Sequence, residues 1–168
     1  MRFEDVEFIR KHMQTLVGAQ WVDVGRAAAM AWFIFSRQGT QYSLHVQTAF
    51  RIRTEDTVLN ANLDMFEPPP QIAECPSFDG NSFDWDVQGA NCYDKWCQGF
   101  KDKALNGSVG VVRKIQVNDF GDLTIQNDNG LILEVFINAS RDECWRFFNN
   151  GSDCHLVVTG TGLDHEEE

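Results

Sequence analysis

The chain has 168 residues, 43% of them hydrophobic, and its 25 acidic and 14 basic side chains give a formal net charge of −11 at pH 7. This length and composition predict one globular domain over residues 1–168 with a sizeable core. An acidic surface repels phosphate backbones and anionic lipid headgroups, so the charge disfavours nucleic acid and membrane as partners. It is compatible with a basic protein or a cationic ligand, and also with a charge that serves only solubility.

The amino terminus and the cysteines indicate the cellular compartment in which the protein is expected. Residues 1–5 mix acidic and basic side chains, and no apolar segment typical of a secretory signal follows them. The five cysteines are odd in number and irregularly spaced, which favours free thiols in a reducing cytosol over a disulfide framework. Cys92 and Cys97 are separated by four residues, and no second pair or nearby histidine completes a zinc site. We therefore expect a cytoplasmic protein without a metal or another cofactor.

The first half of the chain predicts a helix followed by strands. Residues 4–17 place apolar side chains at three- and four-residue spacing and end before Gly18, which indicates an amphipathic helix. Residues 26–37 are a nearly continuous apolar run, which favours a buried strand. Residues 41–53 and 58–65 alternate with a period of two, as the two strands of a hairpin do.

The register of this hairpin follows from the alternation. A four-residue loop over 54–57 would join the two strands, and directly opposed residues must face the same side of a sheet. This predicts Phe50 opposite Ala61 and Arg51 opposite Asn60.

A middle excursion, residues 67–108, interrupts the strands. Three consecutive prolines from Pro68 end the preceding strand, because proline cannot donate to a sheet ladder. The chain then reads as irregular up to residue 90 and as a short helix over 91–104. An insertion of this kind is typical of a lid or a partner-specific segment.

Strands return from Val109 onward. Asn129-Gly130 is a strong hairpin signal, since both residues tolerate positive φ. Trp145 alternates with Arg146 and should be buried, and residues 164–168 form an acidic tail. The step Trp145-Arg146-Phe147 echoes Phe50-Arg51-Ile52, each placed after an apolar strand.

These elements predict an α+β fold. We expect a mostly antiparallel, bent or half-closed sheet of about six to eight strands, with the amino-terminal helix on it and the second, short helix in the middle excursion.

The last third of the chain also carries a resemblance to a class of proteins. It consists of the segments Gly121-Asp122-Leu123, Asn129-Gly130, 144–148 (CWRFF) and 155–158 (HLVV), with Leu44-His45 as a weaker second match. Over residues 109–163 the chain resembles small bacterial proteins, some of which are similar to immunity proteins that neutralise toxins. The resemblance implies a non-catalytic inhibitor, and it marks strands and turns rather than chemistry.

Two sets of residues are candidates for binding. The first is the polar face of the predicted hairpin, where a histidine near carboxylates and guanidinium groups could bind an anion or act in acid–base chemistry. Its members are His45, Gln47, Arg51, Arg53, Asn60, Asn62 and Asp64. The alternative is an ordinary polar face of an antiparallel sheet, exposed to solvent.

The second set is a partner-binding candidate in the middle excursion, because aromatic anchors rimmed by charge are common in interfaces. Its members are Asp79, Phe83, Asp84, Trp85 and Asp86. The alternative is that Phe83 and Trp85 only pin a long loop onto the sheet.

We assign no catalytic residue. Cys144, Cys154 and His155 could suggest a thiolate nucleophile, but alternation places Cys154 and His155 on opposite faces of a strand, which favours structural cysteines. The sequence thus predicts a non-catalytic binding protein, of which an immunity-type inhibitor of a basic toxin is the specific form. The alternative is a small-molecule-binding domain or enzyme that uses the sheet face around His45, Arg51 and Asp64.

Overall fold

A computed structural model describes residues 1–107 and 109–164 and shows an α+β fold of three α-helices and eleven strands within them. The helices are α1 (Phe3–Met13), α2 (Pro70–Ala73) and α3 (Cys92–Leu105). The strands are β1 (Gln20–Ala27), β2 (Met30–Arg37), β3 (Thr40–Val46), β4 (Phe50–Arg53), β5 (Val58–Ala61), β6 (Val112–Val117), β7 (Leu123–Asn127), β8 (Ile132–Val135), β9 (Glu143–Asn149), β10 (His155–Thr159) and β11 (Gly162–Asp164). Single 3-10 turns occupy Gln14–Leu16, Asn62–Phe66 and Gly80–Ser82.

The strands form two open antiparallel sheets. The six-stranded sheet has the order β1-β2-β3-β9-β10-β11, and the five-stranded sheet has the order β5-β4-β8-β7-β6. The core lies between them, where the ring of Phe33 in β2 meets that of Phe50 in β4 edge to face at 5.5 Å. The predicted α+β class, antiparallel pairing, amino-terminal helix and middle helix are confirmed, but the strands divide between two sheets instead of one bent sheet of six to eight.

The element order occurs twice along the chain. A helix, three hairpin-linked strands, a crossover and two further strands run from α1 to β5 and again from α3 to β10. Each half gives its first three strands to one sheet and its last two to the other. Each helix packs on the first strand of the other half, since α3 packs on β1 and α1 packs on β6. The fold is therefore a pseudo-twofold arrangement of two interlocked halves.

The repeat extends to the register of the strands at the centre of each sheet. Val46 pairs with Trp145 and His45 with Arg146 between β3 and β9. Val135 pairs with Phe50 and Glu134 with Arg51 between β8 and β4. The short sequence echo around the two arginines thus falls on equivalent positions of the two halves.

Two predicted strands are in fact divided. Residues 26–37 span the end of β1, a tight turn at 28–29 and β2, and the turn contains no glycine, asparagine or proline that would have indicated it. Residues 41–53 span β3 and β4, which belong to different sheets. At the crossover the buried Thr48 hydroxyl donates to the Phe136 carbonyl at 2.6 Å, so that both crossovers are tied together.

The hairpin of β4 and β5 forms with the predicted loop, but its predicted register is wrong by one residue. The Thr54 amide donates to the Thr57 carbonyl at 2.9 Å and closes the loop. Arg51 pairs with Ala61 and Ile52 with Asn60, and a bulge then precedes the Arg53–Val58 pair. The bulge absorbs Leu59, which turns outward, while Asn60 points into the core.

The other elements follow the sequence closely. Helix α1 and its 3-10 extension end at Leu16, two residues before Gly18, which has a φ of +86°. Helix α3 occupies the predicted segment, and Trp145 is fully buried, with its indole N–H donating to the Gly121 carbonyl at 3.2 Å. Asp164 ends β11, and residues 165–168 of the predicted tail lie outside the described residues. No helix within the described residues is long and apolar enough to cross a membrane.

Candidate functional site

A buried arginine anchors the middle excursion to the six-stranded sheet. Arg26 leaves β1 with a side chain that is 0% exposed. Its Nε and Nη2 atoms each donate to one carboxylate oxygen of Asp94 at 2.8 Å, a two-point contact that suits a planar guanidinium. Its Nη1 atom donates to an Asp86 carboxylate oxygen at 3.1 Å, and Nη2 donates to the Trp85 carbonyl at 3.0 Å. One side chain thereby fixes both the start of α3 and the segment before it.

The amino-terminal cap of α3 reinforces this anchor. Asn91 is fully buried, and its side-chain oxygen accepts from the Asp94 amide at 2.8 Å, as an N-cap residue does. Its side-chain nitrogen donates to the same Trp85 carbonyl at 2.9 Å. The Trp85 ring lies edge to face against Phe66, with centroids 4.8 Å apart, and the Arg26 guanidinium lies 5.7 Å from the Trp85 ring centroid. The excursion is therefore held in a fixed position by polar and aromatic contacts.

The acidity of the chain is concentrated next to this anchor. Residues 54–94, here called the acidic segment, contain no lysine, arginine or histidine. They contain nine carboxylates: Glu55, Asp56, Asp64, Glu67, Glu74, Asp79, Asp84, Asp86 and Asp94. The other 16 acidic residues of the chain are nearly balanced by its 14 basic ones, so almost the whole net charge of −11 originates in this segment.

Apolar side chains are exposed along the same segment. Leu63 is 67% exposed, and Phe66, Ile72 and Val87 are exposed as well. Exposed apolar side chains surrounded by charge are typical of a surface that binds another protein.

The five residues predicted to bind a partner are all on this segment, in different settings. Asp79 and Asp84 are exposed, and their carboxylates accept from the backbone amides of Asn81 and Asp86, so each also holds a turn. Asp86 is exposed and paired with Arg26, as described above. Phe83 and Trp85 are half-buried, so they both pin the loop and present part of their rings to solvent.

The residues of the predicted ligand-binding face separate into two groups. His45 lies on β3 in the six-stranded sheet, beside the Phe148 ring at 4.9 Å, and Gln47 directly follows β3. Burial and the nearby Arg146 guanidinium lower the pKa of His45. Burial alone would raise the pKa of Glu143, but hydrogen bonds from Arg146 and Gln47 lower it. This group is a partly buried polar cluster of paired side chains.

The second group lies on the five-stranded sheet. Arg53 donates from Nε and Nη2 to the two carboxylate oxygens of Glu134 at 2.8 Å each, and Arg51 contacts the same carboxylate. The hydrogen bonds from Arg53 are the main reason that the pKa of Glu134 is lowered to about 2. Asn60 is buried, and Asn62 and Asp64 lie in the 3-10 turn after β5, where Asp64 accepts from the Ala61 amide at 2.7 Å.

The cysteines are placed as separate thiols, and all five are free. Cys144 is fully buried, whereas Cys154 is exposed and directly precedes β10, next to His155. Cys154 and His155 line the rim of a groove of about 370 Å³ between α1 and the six-stranded sheet. Within the described residues no three His, Cys, Asp or Glu side chains are grouped as a metal site requires.

Sequence reasoning did not identify Arg26, Asn91 and Asp94 as the residues that position the excursion. A cap signal was present, since asparagine three residues before an acidic residue at the start of a helix is an N-cap pattern. The partner of Asp94 is Arg26, 68 positions earlier in the chain, and no local sequence signal indicates this pair.

Comparison of the chain with models of protein families, with curated proteins and with solved structures found no match.

Proposed function

We propose that this chain is a non-catalytic binding protein whose acidic segment contacts a basic protein partner. The observation that carries the proposal is the coincidence of nine carboxylates, no basic side chain and several exposed apolar residues in residues 54–94. A charge that served only solubility would need no such concentration on one segment. Concentrated charge attracts an oppositely charged partner over long distances, while apolar groups supply most of the contact energy.

The rigidity of the segment supports the same function. Binding is weakened by the entropy that is lost when a mobile loop becomes ordered. Arg26, Asn91 and the Phe66–Trp85 contact already fix the segment, so little further ordering is needed on association. We extend the proposal to an immunity-type inhibitor of a basic toxin because residues 109–163 resemble proteins of that kind.

The proposal is tested with a lysine- and leucine-rich amphipathic peptide as the probe and fluorescence anisotropy as the readout. Four exposed carboxylates of the acidic segment are replaced together: Glu67→Gln, Glu74→Gln, Asp79→Asn and Asp84→Asn. The matched control replaces four exposed carboxylates elsewhere: Glu4→Gln, Asp102→Asn, Asp142→Asn and Asp153→Asn. Both variants have the same net charge, and asparagine can retain the turn contacts of Asp79 and Asp84.

We expect the segment variant to bind the peptide about tenfold more weakly, since four favourable contacts of a few tenths of a kcal/mol each are lost. The control variant should also bind more weakly than wild type, but its loss of binding free energy should be less than a third of that of the segment variant. Equal weakening in both variants would show attraction by net charge alone and would contradict a specific binding segment. A Leu63→Ser variant should also bind more weakly if apolar contact contributes.

The alternative function, a small-molecule site or an enzyme at the sheet face, requires His45, Arg51 and Asp64 to act together. His45 lies in one sheet and Arg51 in the other, where Arg51 is paired with Glu134. Titration of the imidazole of His45 by NMR in wild type and in an Arg51→Ala variant distinguishes the alternatives. A shared site predicts a clear change in the titration, whereas separate groups predict none.

A further inference from the structure

A groove between α2 and the first turn of α3, here called the α2 groove, is formed almost entirely by the acidic segment. Its volume is about 470 Å³, within the range of about 300–1,000 Å³ that is common for binding pockets. The described residues that line it are Pro69, Pro70, Gln71, Ile72, Cys92 and Lys95. Prolines, isoleucine and a thiol make most of this lining apolar, so the groove suits an apolar group.

The shape of the α2 groove is fixed by the main chain. Pro69 is buried, and the rings of Pro69 and Pro70 restrict φ on one wall. The Cys92 amide donates to the Glu67 carbonyl at 2.9 Å, and the Cys92 thiol donates to the Pro68 carbonyl at 3.3 Å. These bonds join the two walls, so an incoming side chain loses little affinity to the ordering of the groove.

The surroundings of the α2 groove carry negative charge. Burial raises the pKa of the Cys92 thiol, and the nearby carboxylates of Asp64 and Glu67 raise it further. Glu74 directly follows α2 and is exposed. Lys95 is the single basic residue among the described residues that line the groove. Because the carboxylates outnumber this ammonium group, the groove favours an apolar group that has a cation beside it.

The charge also selects among possible occupants. A second copy of this chain would bring its own net charge of −11 to a negative surface and would be repelled. An uncharged apolar molecule would gain nothing from the carboxylates. A segment in which lysine or arginine flanks a leucine-sized side chain is complementary to both the lining and its surroundings.

We propose that the α2 groove receives one apolar side chain of the basic protein partner, from a segment in which lysine or arginine flanks that side chain. The apolar side chain lies against Ile72 and the proline rings, and the neighbouring cation pairs with Glu67. This inference rests on the binding of a basic protein proposed above, and it identifies the anchor of that contact. An apolar side chain buried in a preformed pocket at the centre of an interface often supplies much of the binding energy.

The test compares two peptides of equal charge by fluorescence anisotropy on the full chain. One is the lysine- and leucine-rich peptide, and the other has alanine in place of every leucine. Ile72→Ser removes an apolar side chain from the α2 groove, and because Ile72 is 42% exposed, the fold should remain intact. Val87→Ser is the matched control, since Val87 is 54% exposed in the same acidic segment but is not among the residues that line the groove.

We expect the wild type to prefer the leucine peptide to the alanine peptide. Ile72→Ser should reduce this preference about 3- to 10-fold, and Val87→Ser should reduce it less than about twofold. An unchanged preference in Ile72→Ser, or an equal reduction in Val87→Ser, would overturn the α2 groove as the anchor and leave the binding of a basic protein standing. If neither peptide bound the wild type, the proposed function would fail and the anchor with it.

Two lysines of α3 test the position of the bound cation. Lys95 lines the α2 groove, whereas Lys103, two turns later, does not, and both are exposed. Lys95→Gln should tighten the binding of the leucine peptide about 1.5- to 5-fold more than Lys103→Gln does, because it removes an ammonium group close to the bound cation. Equal effects of the two substitutions would contradict a cation at the α2 groove.

The Cys92 thiol reports directly whether the groove is occupied. Of the five described cysteines, Cys97 and Cys144 are buried, so in a chain that carries Cys75→Ser and Cys154→Ser only Cys92 is partly accessible. The bound leucine peptide should slow alkylation of Cys92 by iodoacetamide in proportion to the bound fraction, as measured by mass spectrometry. Unchanged alkylation at a saturating peptide concentration would place the peptide outside the α2 groove and overturn the inference.

Discussion

At the scale of single residues, Trp145 is one of the two tryptophans that are fully buried in the core, the other being Trp21. Trp145 lies between the two sheets, and its indole N–H has a partner in the Gly121 carbonyl. Replacing Trp145 with alanine should lower the free energy of unfolding by about 3–5 kcal/mol, because a large cavity and an unpaired carbonyl remain. Chemical denaturation measures this change.

Phe120 provides the control for this substitution. It is 72% exposed in the turn between β6 and β7, so Phe120→Ala should change the free energy of unfolding by less than about 0.5 kcal/mol. Similar losses in the two variants would contradict the assignment of Trp145 to the core.

The ordered conformation of the middle excursion depends on one residue, Arg26. Arg26→Ala leaves the carboxylate of Asp94, which is 7% exposed, without its main partner, and loss of one member of a buried pair costs about 3–5 kcal/mol. We expect this variant to be cleaved by protease within residues 67–91 well before the sheets unfold. Arg113→Ala, at an arginine whose side chain is 65% exposed, should resist cleavage as the wild type does. If Arg26→Ala is cut no faster, the excursion is held by other contacts.

At the scale of elements, Glu134 ties β8 to β4 in a way that depends on pH. Its pKa is about 2 in the folded chain, below the ordinary value of 4.5. A lowered pKa stabilises the fold fully above pH 4.5, and this contribution is lost as the pH falls from 4.5 to 2. Glu134→Gln should therefore be less stable than wild type at pH 7 by about 1–3 kcal/mol, and the difference should disappear near pH 2.

Denaturant unfolding of both proteins across this pH range measures the contribution of Glu134. A difference in stability that is the same at pH 7 and at pH 2 would show that the charge of Glu134 does not contribute.

Periodicity predicted the individual elements where local signals were strong. The apolar stripes gave α1 and α3, and the Asn129-Gly130 turn gave the hairpin of β7 and β8. The turn after β1 was missed because it uses Ala28, with a φ of +49°, where the sequence gives no turn signal. The inward position of Asn60 was missed because it follows from a bulge, which depends on the contacts of the folded sheet rather than on the alternation of residues.

The division of residues 41–53 between two sheets could not be predicted from the local sequence either. The alternation of polar and apolar residues continues almost unbroken through Thr48, because both sheets face the same core. The crossover is determined by contacts with Phe136 and Cys144, about 90 residues away in the sequence. For the same reason the sequence grouped His45 with Arg51 on one face, although the structure places them in different sheets.

At the scale of the whole molecule, the acidic segment is mainly an insertion between two similar halves. The first half ends with β5 and the second begins with α3, and residues 62–91 lie between them, outside the repeated order of elements. Six of the nine carboxylates of the acidic segment lie in this insertion. The two interlocked halves form the scaffold of the fold, and the insertion carries most of the negative charge of the acidic segment.

The central claim is that the acidic segment attracts and binds a basic partner, and stopped-flow association with the lysine- and leucine-rich peptide tests it most directly. Screening shortens from about 10 Å at 0.1 M salt to about 3 Å at 1 M, so attraction between opposite charges should weaken steeply over this range. We predict that the association rate of the wild type falls at least tenfold, while the dissociation rate changes much less. The variant with four neutralised carboxylates in the acidic segment should show a distinctly shallower salt dependence than its matched control. A wild-type association rate that is independent of salt, or equal slopes in the two variants, would contradict the account.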